Sequence, residues 1–328
     1  MSRLQALNVP IRPWVPRWLG LVTAFVILLP IMLINGAYTG DIIEVSGTLG
    51  VMSEDIRMAY YATSAGMAIA YPIIPKLRPV ITTKTVLLSD LMLQVVLSLI
   101  CANVTKMEIV IACSFFIGIL KAFVMLEFII MTRPFFSPSN VRSEFYAYFY
   151  PLVFSGGQIS MALTAQLAYS YQWQYMYYFV IILLLVAILF VLICFRYARR
   201  PISFPFREID WKSMLLGSSV LLMIIYVATY GKTLDWFSSD KIVAYTCIIP
   251  VLLWLFVYRQ KVRKVPYIRL TVLNSSKALI GYLFMVITMV LSSSSSLLTS
   301  YLNSVLRVDS VHANSLYLWM LPAFICGA

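Results

Sequence analysis

Residues 174–200 read QYMYYFVIILLLVAILFVLICFRYARR, and this stretch decides the fold class. A helix needs about 20 consecutive apolar residues to cross the hydrocarbon core of a bilayer, and residues 174–196 provide them. Arg196, Arg199 and Arg200 come at the end of the run, and basic residues beside a span are typical of its cytoplasmic side. The stretch therefore predicts a transmembrane helix with its C-terminal end in the cytoplasm.

Apolar runs of similar length recur along the whole chain and are separated by short polar segments. They predict about ten transmembrane helices in an all-α polytopic membrane protein. The predicted spans lie near residues 18–37, 57–76, 85–103, 108–131, 146–169, 174–196, 211–230, 242–258, 278–300 and 313–328. The last run is too short for a crossing, so we expect this chain to be the N-terminal portion of a longer protein.

Basic residues fall in every second polar segment. The segment before residue 18 holds Arg3, Arg12 and Arg17 and no acid, whereas residues 38–56 hold acids and no base. Lys and Arg are retained on the cytoplasmic side, so this alternation predicts a multi-pass protein of the cell (inner) membrane with a cytoplasmic N-terminus. The later segments that the same alternation places in the cytoplasm are 76–84, 196–207 and 259–269.

The composition favours the same class of protein. Hydrophobic residues make up 61% of the chain, charged residues make up 12%, and the mean hydropathy is +0.88. A soluble domain needs more polar surface than this. The net charge of +12 does not indicate nucleic-acid binding, because the bases lie at span ends rather than on one amphipathic face. The lipid bilayer is therefore the expected partner, and its anionic headgroups are a candidate contact for the run from Arg259 to Lys264.

Three segments of the chain are similar to segments of a known family. In REIDWKSMLLGSSVLLMIIYVATYGKTLDWFSSDKIVAY, residues 207–245, a span opens with Asp210-Trp211 and closes with Gly231 and Trp236-Phe237-Ser238. The other two are QWQYMYYFV, residues 172–180, and YLNSVLRVDSVHANSLYLWMLP, residues 301–322. Together they resemble the major facilitator superfamily, specifically its fourteen-span drug:proton antiporter branch.

The resemblance implies a major facilitator fold that works by alternating access. Residues 1–200 would form the N-terminal six-helix bundle, residues 201–262 two inserted spans, and residues 263–328 the first part of an incomplete C-terminal bundle. About four further spans would complete such a protein. The resemblance also implies a small-molecule substrate, with a periplasmic adaptor and an outer-membrane channel as partners.

The chain departs from the family pattern at several positions. Asn35 stands where the family usually has Asp late in span one, and Ser114 replaces the span-four Arg, although the Gly that follows is matched by Gly118. The antiporter signature of span five is absent from residues 160–165. Proton antiport by the family's usual groups is therefore not implied. The loop YPIIPKLRPVITTK lacks the family's Asp but keeps a cytoplasmic set of bases, Lys76, Arg78 and Lys84.

Ionisable side chains inside a span are functional candidates, because each costs several kcal/mol at bilayer depth. Lys121 lies near the middle of span four and is predicted to be a cavity charge for substrate contact or coupling. The alternatives are an ion pair with Asp90 and snorkelling to an interface. For Asp90 and Glu127, the favoured interpretation is a partner for Lys121 or a residue at the membrane interface. Asn35 and Gln158 are candidates for hydrogen bonds to a substrate, or else for contacts between helices.

These observations lead to the hypothesis of a secondary transporter that exports amphipathic or drug-like molecules. A non-transporting scaffold or fragment of a split or truncated transporter is an open alternative. A polytopic membrane enzyme is a less favoured one, because the sequence contains no HExxH and no GxSxG motif. The five cysteines lie in apolar runs without metal-ligand spacing, and His312 is the single histidine. We therefore expect no metal, no cofactor and no enzymatic activity.

Overall fold

The computed structural model describes residues 11–38, 42–137, 141–197, 209–308 and 310–326. These residues contain no β-strand, and their one isolated β-bridge joins Ile11 to Phe195. The α-helices are α1 (Arg17–Leu33), α2 (Ile42–Leu49), α3 (Ser53–Ala70), α4 (Ile74–Leu77), α5 (Thr83–Asn103), α6 (Met107–Phe136), α7 (Arg142–Ser170), α8 (Gln174–Cys194), α9 (Trp211–Tyr230), α10 (Asp240–Val262), α11 (Ser276–Ser304), α12 (Ser310–Ser315) and α13 (Leu321–Cys326). Short 3-10 turns lie at Trp236–Ser238, Leu270–Asn274 and Leu316–Met320.

Several of these helices are long and apolar enough to cross a bilayer. Within the described residues, the five that meet both criteria are α5, α6, α8, α9 and α10. Shorter apolar segments lie at Trp18–Leu33 and Ser276–Leu291. The prediction of an all-α, multi-pass membrane protein is therefore confirmed.

The helix boundaries differ from the predicted spans at the two ends of the chain. The first span, predicted for residues 18–37, ends early because the backbone becomes extended at Ile34. Pro30 lies in the last turn of α1 and cannot donate a backbone hydrogen bond there, which weakens the helix just before this point. The segment 38–56, predicted to be a loop, contains the short helix α2.

The last predicted span, residues 313–328, is not one continuous helix. Its described part, up to residue 326, consists of α12, a 3-10 turn and α13, while residues 327–328 lie outside the described part. Pro322 is the second residue of α13, and a proline is tolerated in the first turn of a helix because its missing N–H is not needed there. A new helix therefore begins at Leu321.

Helices α3 and α6 cross where each of them carries a glycine. A Cβ atom on Gly66 would overlap the carbonyl of Phe115, and one on Gly118 would overlap the carbonyl of Thr63. Apolar side chains gain little by leaving lipid for another helix, so close backbone approach at small residues supplies much of the packing energy. These two glycines therefore set the distance between α3 and α6.

The main apolar core lies where α1, α5, α6 and α8 pack together. Ile31, Leu87, Ile117 and Leu184 are among its fully buried side chains. Helices α9 and α10 form a hairpin that packs on α3. Helices α12 and α13 pack on α7, and the described side chains of α11 are almost all exposed. The four-helix core therefore holds the side chains from which a site inside the membrane can be built.

Candidate functional site

The end of α1 lies against the midpoint of α6, and Lys121 joins the two. The Lys121 ammonium donates a hydrogen bond to the carbonyl oxygen of Ile34 at 3.1 Å and another to Oδ1 of Asn35 at 3.4 Å. The last carbonyls of a helix have no partner within it and carry the negative end of its dipole, so they attract a cation. Lys121 therefore caps the C-terminal end of α1.

The residues that follow are fixed between α6 and α8. Gly36 is so close to α6 that a Cβ atom there would overlap the side chain of Ser114. Its carbonyl accepts a hydrogen bond from the Tyr177 hydroxyl at 2.9 Å, and the Ser114 hydroxyl donates to Val110 within its own helix at 2.6 Å. We call Ile34, Asn35, Gly36, Ser114 and Lys121 the helix-end site.

The helix-end site places a positive charge deep in the bundle. Helix α6 has 30 residues, and Lys121 lies at its midpoint. At a rise of about 1.5 Å per residue, the ammonium is anchored about 21 Å from either end of the helix. Among the described residues, its partners are two uncharged oxygens, one from a carbonyl and one from an amide. An ammonium has three donors, so a third remains for a ligand oxygen.

Asp90 and Glu127 are two buried carboxylates on neighbouring helices and are separate from the helix-end site. Asp90 is on α5 and Glu127 is on α6, close enough for their charges to repel each other. Oε1 of Glu127 accepts from Arg78 at 3.4 Å. The second oxygen of Glu127 and Oδ2 of Asp90 are buried and have no hydrogen-bond partner among the described residues. A buried carboxylate oxygen without a partner is costly, so these two oxygens are candidates for contact with a cation or a hydrogen-bond donor of a ligand.

Gln94 continues the same polar face of α5. It lies one helical turn after Asp90 and is 0% exposed. Neither its amide oxygen nor its amide nitrogen has a hydrogen-bond partner within the described part of the chain. Buried polar groups are normally paired, so this residue adds unused hydrogen-bonding capacity beside the carboxylate pair. Sequence reasoning missed it, although its spacing from Asp90 places the two on one helical face.

Gln158 lies apart from both groups. It is half-buried on α7, and the described part of the chain supplies no hydrogen-bond partner for its amide oxygen. It lies two residues after Gly156, which faces Met32 of α1. The structure therefore does not join the amide oxygen of Gln158 to Lys121, Asp90 or Glu127.

The three bases assigned to the cytoplasmic loop hold together one end of the bundle. Lys76 donates to the carbonyl of Pro266 at 3.4 Å, and Arg78 pairs with Glu127. Lys84 is not in the loop but in the first turn of α5, where it is buried. It donates to the carbonyls of Leu192 and Phe195, at 3.1 and 2.9 Å, and so caps α8. These contacts give all three bases a structural role.

A second polar cluster, centred on Asp210, was not predicted from the sequence. The Asp210 carboxylate is fully buried and pairs with Arg259 at 2.8 Å and with Arg263 at 2.9 Å. The Ser213 hydroxyl donates to it at 2.6 Å. The Ser213 backbone N–H also donates to it, at 3.3 Å, as expected of a carboxylate at a helix N-cap. Burial acts to raise the pKa of Asp210, but the hydrogen bonds from Arg259 and Ser213 outweigh it and hold that pKa below its ordinary value.

Gln260 connects this cluster to the chain that follows α10. Its amide nitrogen donates to Ser213 at 2.9 Å, and its amide oxygen accepts from the backbone N–H groups of Tyr267 and Ile268 at 2.8 and 3.1 Å. The Tyr267 hydroxyl donates to the carbonyl of Ile69 in α3. We call Asp210, Ser213, Arg259, Gln260 and Arg263 the Asp210 network. It joins the start of α9 to the end of α10, and Gln260 also holds the segment whose Tyr267 contacts α3. The basic run in the sequence did not predict this role.

No protein-family model matches this chain, and no curated protein matches its sequence.

Proposed function

We propose that this protein is a secondary transporter of the major facilitator type, working by alternating access. It exports amphipathic or drug-like molecules from the cytoplasm across the cell membrane. The observation that carries the proposal is the position of Lys121, a charged side chain at the midpoint of a long apolar helix. Ionisable residues that persist at this depth are most often part of a substrate or ion pathway.

The hydrogen-bond partners of Lys121 lie at the end of a helix, and this position supports a role in transport rather than a purely structural role. Transporters commonly bind their substrates where a membrane helix is interrupted, because the free backbone groups there can contact charged ligands. Here the end of α1 supplies such a break, at Ile34 and Asn35. A ligand carboxylate or phosphate could use the remaining donor of Lys121 without displacing the contacts that hold α1.

The contacts of Lys76 and Arg78 at one end of the helix bundle support a protein that changes conformation during transport. Alternating access requires one end of the helix bundle to open while the other closes. The contacts of Lys76 with Pro266 and of Arg78 with Glu127 are both 3.4 Å long, near the upper limit for a hydrogen bond. Contacts of this length are weaker than short hydrogen bonds, so these two contacts can break when this end of the bundle opens.

Substitution of Lys121 tests the proposal in proteoliposomes containing the full-length protein. Lys121→Gln retains an N–H donor for the Ile34 carbonyl but removes the charge. We expect its melting temperature to stay near the wild-type value, while transport of anionic amphipathic dyes falls about tenfold or more, the loss expected for one charge-assisted hydrogen bond. Lys121→Arg, which keeps the charge, is the matched control and should retain more transport than Lys121→Gln.

Asn35→Asp provides an independent test of the same charge. The new carboxylate would lie 3.4 Å from the Lys121 ammonium and neutralise it in place. We expect normal folding with reduced transport of anionic dyes. Wild-type transport by both Lys121→Gln and Asn35→Asp would remove Lys121 from the mechanism, and absence of transport by the wild type for a broad dye panel would contradict the proposed function itself.

A further inference from the structure

The α9–α10 hairpin contains a groove on its surface. A cavity of about 540 Å³ is lined by Leu216 of α9, by Leu255, Tyr258, Arg259 and Val262 of α10, and by Arg263, the residue that follows α10. Both helices are apolar enough to cross a bilayer, and most of their residues are not buried by the rest of the protein. The groove is therefore open to the lipid that surrounds the hairpin.

One end of the groove is positively charged. Arg259 and Arg263 both contact the fully buried Asp210 carboxylate, yet each guanidinium side chain remains 30% exposed. The two described chain segments that meet here, 209–212 and 259–264, contain five basic residues and only one acid. Asp210 thus holds the two arginines in place without cancelling the charge of this end. A preorganised pair of guanidinium groups fits the oxygens of a phosphate.

The rest of the groove is apolar and extends into the membrane. Leu255 precedes Arg259 by one helical turn, about 6 Å along α10, and Leu216 follows Trp211 by about 8 Å along α9. Trp211 and Tyr258 lie at the charged end, and such aromatic residues are enriched at the level of the lipid headgroups. The charged end of the groove is therefore at headgroup depth, and the leucines are at the depth of the acyl chains.

We infer that this groove binds an anionic phospholipid. Its phosphate contacts Arg259 and Arg263, and one acyl chain lies against Leu216, Leu255 and Val262. The lipid shares the two guanidinium groups with Asp210 and so becomes part of the contact that joins the start of α9 to the end of α10. This inference does not depend on the proposed transport function.

Thermal melting of the full-length protein in an uncharged detergent tests the inference. Dioleoylphosphatidylglycerol should raise the melting temperature, because it supplies both a negative headgroup and acyl chains. Dioleoylphosphatidylcholine has no net charge and inorganic phosphate has no acyl chain, so each should have a smaller effect. An equal rise with phosphatidylcholine would overturn the charge-based recognition, and an equal rise with phosphate would mark an anion site without a lipid.

Two substitutions distinguish the contributions of the charged and the apolar part of the groove to lipid binding. Arg263→Gln leaves Arg259 to neutralise Asp210 and should weaken phosphatidylglycerol binding about fivefold, the effect of one basic residue at an anionic headgroup. Leu216→Trp fills the apolar part and should abolish the rise in melting temperature. Lys241→Gln, at the opposite end of α10, and Leu253→Trp, outside the groove, are the controls and should keep the wild-type response.

The readout is the lipid-dependent shift of each variant relative to the same variant without lipid. A lower starting melting temperature therefore does not affect the comparison. A wild-type shift in both Arg263→Gln and Leu216→Trp would overturn the inference, as would loss of the shift in the two control variants.

Discussion

Lys84 and Lys121 both donate to carbonyl oxygens at the end of a helix, but they differ in whether an N–H donor of the ammonium remains unused. Lys84 is 3% exposed and contacts two carbonyls and the face of the Tyr197 ring, whose centroid is 4.6 Å away. These contacts occupy the whole ammonium. Lys121 is less buried and has two oxygen partners. The comparison identifies Lys84 as a structural cap and Lys121 as the lysine with a donor available to a ligand.

Asp210 leads to a prediction about the dependence of stability on pH. Its pKa is held below the ordinary value in the folded protein, so its stabilising contribution is complete above the unfolded pKa of about 3.9 and is lost as the pH falls through the folded pKa. Asp210→Asn should lower the free energy of unfolding by about 3 kcal/mol at neutral pH, because it breaks a buried ion pair from one side. It should also flatten the fall in melting temperature below about pH 4.

The matched control for this prediction is Asp240→Asn, which changes an exposed carboxylate in the first turn of α10. Its melting temperature should follow the wild-type curve at every pH. A wild-type melting curve for Asp210→Asn would show that the Asp210 network does not stabilise the fold.

At the scale of helices, the close crossing of α3 and α6 predicts that even one added methyl group at a crossing glycine lowers the stability of the protein. Gly118→Ala places a methyl group against the carbonyl of Thr63, so the two helices must move apart. We expect it to destabilise the protein by about 1–3 kcal/mol, the usual effect of overpacking, and to lower the melting temperature in detergent. Gly157→Ala is the control, because a Cβ atom there would have no neighbour within 4 Å. Equal melting temperatures for the two variants would contradict the close crossing.

The sequence predicted the helices better than it predicted their ends. Hydropathy measures how readily side chains enter lipid, and it located α9 at the residues observed. It could not show that α1 ends at Leu33, because irregular backbone inside a membrane is tolerated only where other residues satisfy it. For the carbonyl of Ile34 that partner is Lys121, which is 87 positions away in the chain. A window of neighbouring residues contains no information about such a contact.

For the whole molecule, the contacts predict which loops share a side of the membrane. Lys76 reaches Pro266, while Lys84 reaches Phe195, so the segments that follow α8 and α10 meet the segment before α5 at one end of the bundle. Tyr230, at the end of α9, instead donates to Asp55 at the start of α3. A reporter fused after Arg200 should therefore be active on the cytoplasmic side, and one fused after Asp240 on the outside.

The control for the topology is a pair of fusions at each position, one with a reporter active only in the cytoplasm and one with a reporter active only outside. The opposite pattern at both positions would reverse the orientation of the chain. The same side for both positions would contradict the crossing of α9.

The candidate site was only partly predictable from the sequence for a related reason. Lys121 was selected because a charge in an apolar run is unusual, and Asn35 because it stands in place of an acidic residue. Their contact, at 3.4 Å, depends on the packing of α1 against α6 and could not be read from either run. The sequence also left Asp90 as a possible partner for Lys121, but the ammonium instead contacts Ile34 and Asn35. Spacing along one helix shows which residues share a face, but it does not show which other helix that face meets.

The cap on α8 has a consequence for how the chain is made. Its last carbonyls are bound by Lys84 and by Arg12, whose backbone N–H and side chain reach Cys194 and Phe195. A ribosome produces both bases well before α8, so they are already at the membrane surface when that helix is inserted. Nothing synthesised after residue 195 is required for the contact. The helices up to α8 can therefore pack together while the α9–α10 hairpin is still being translated, and the hairpin is inserted beside them.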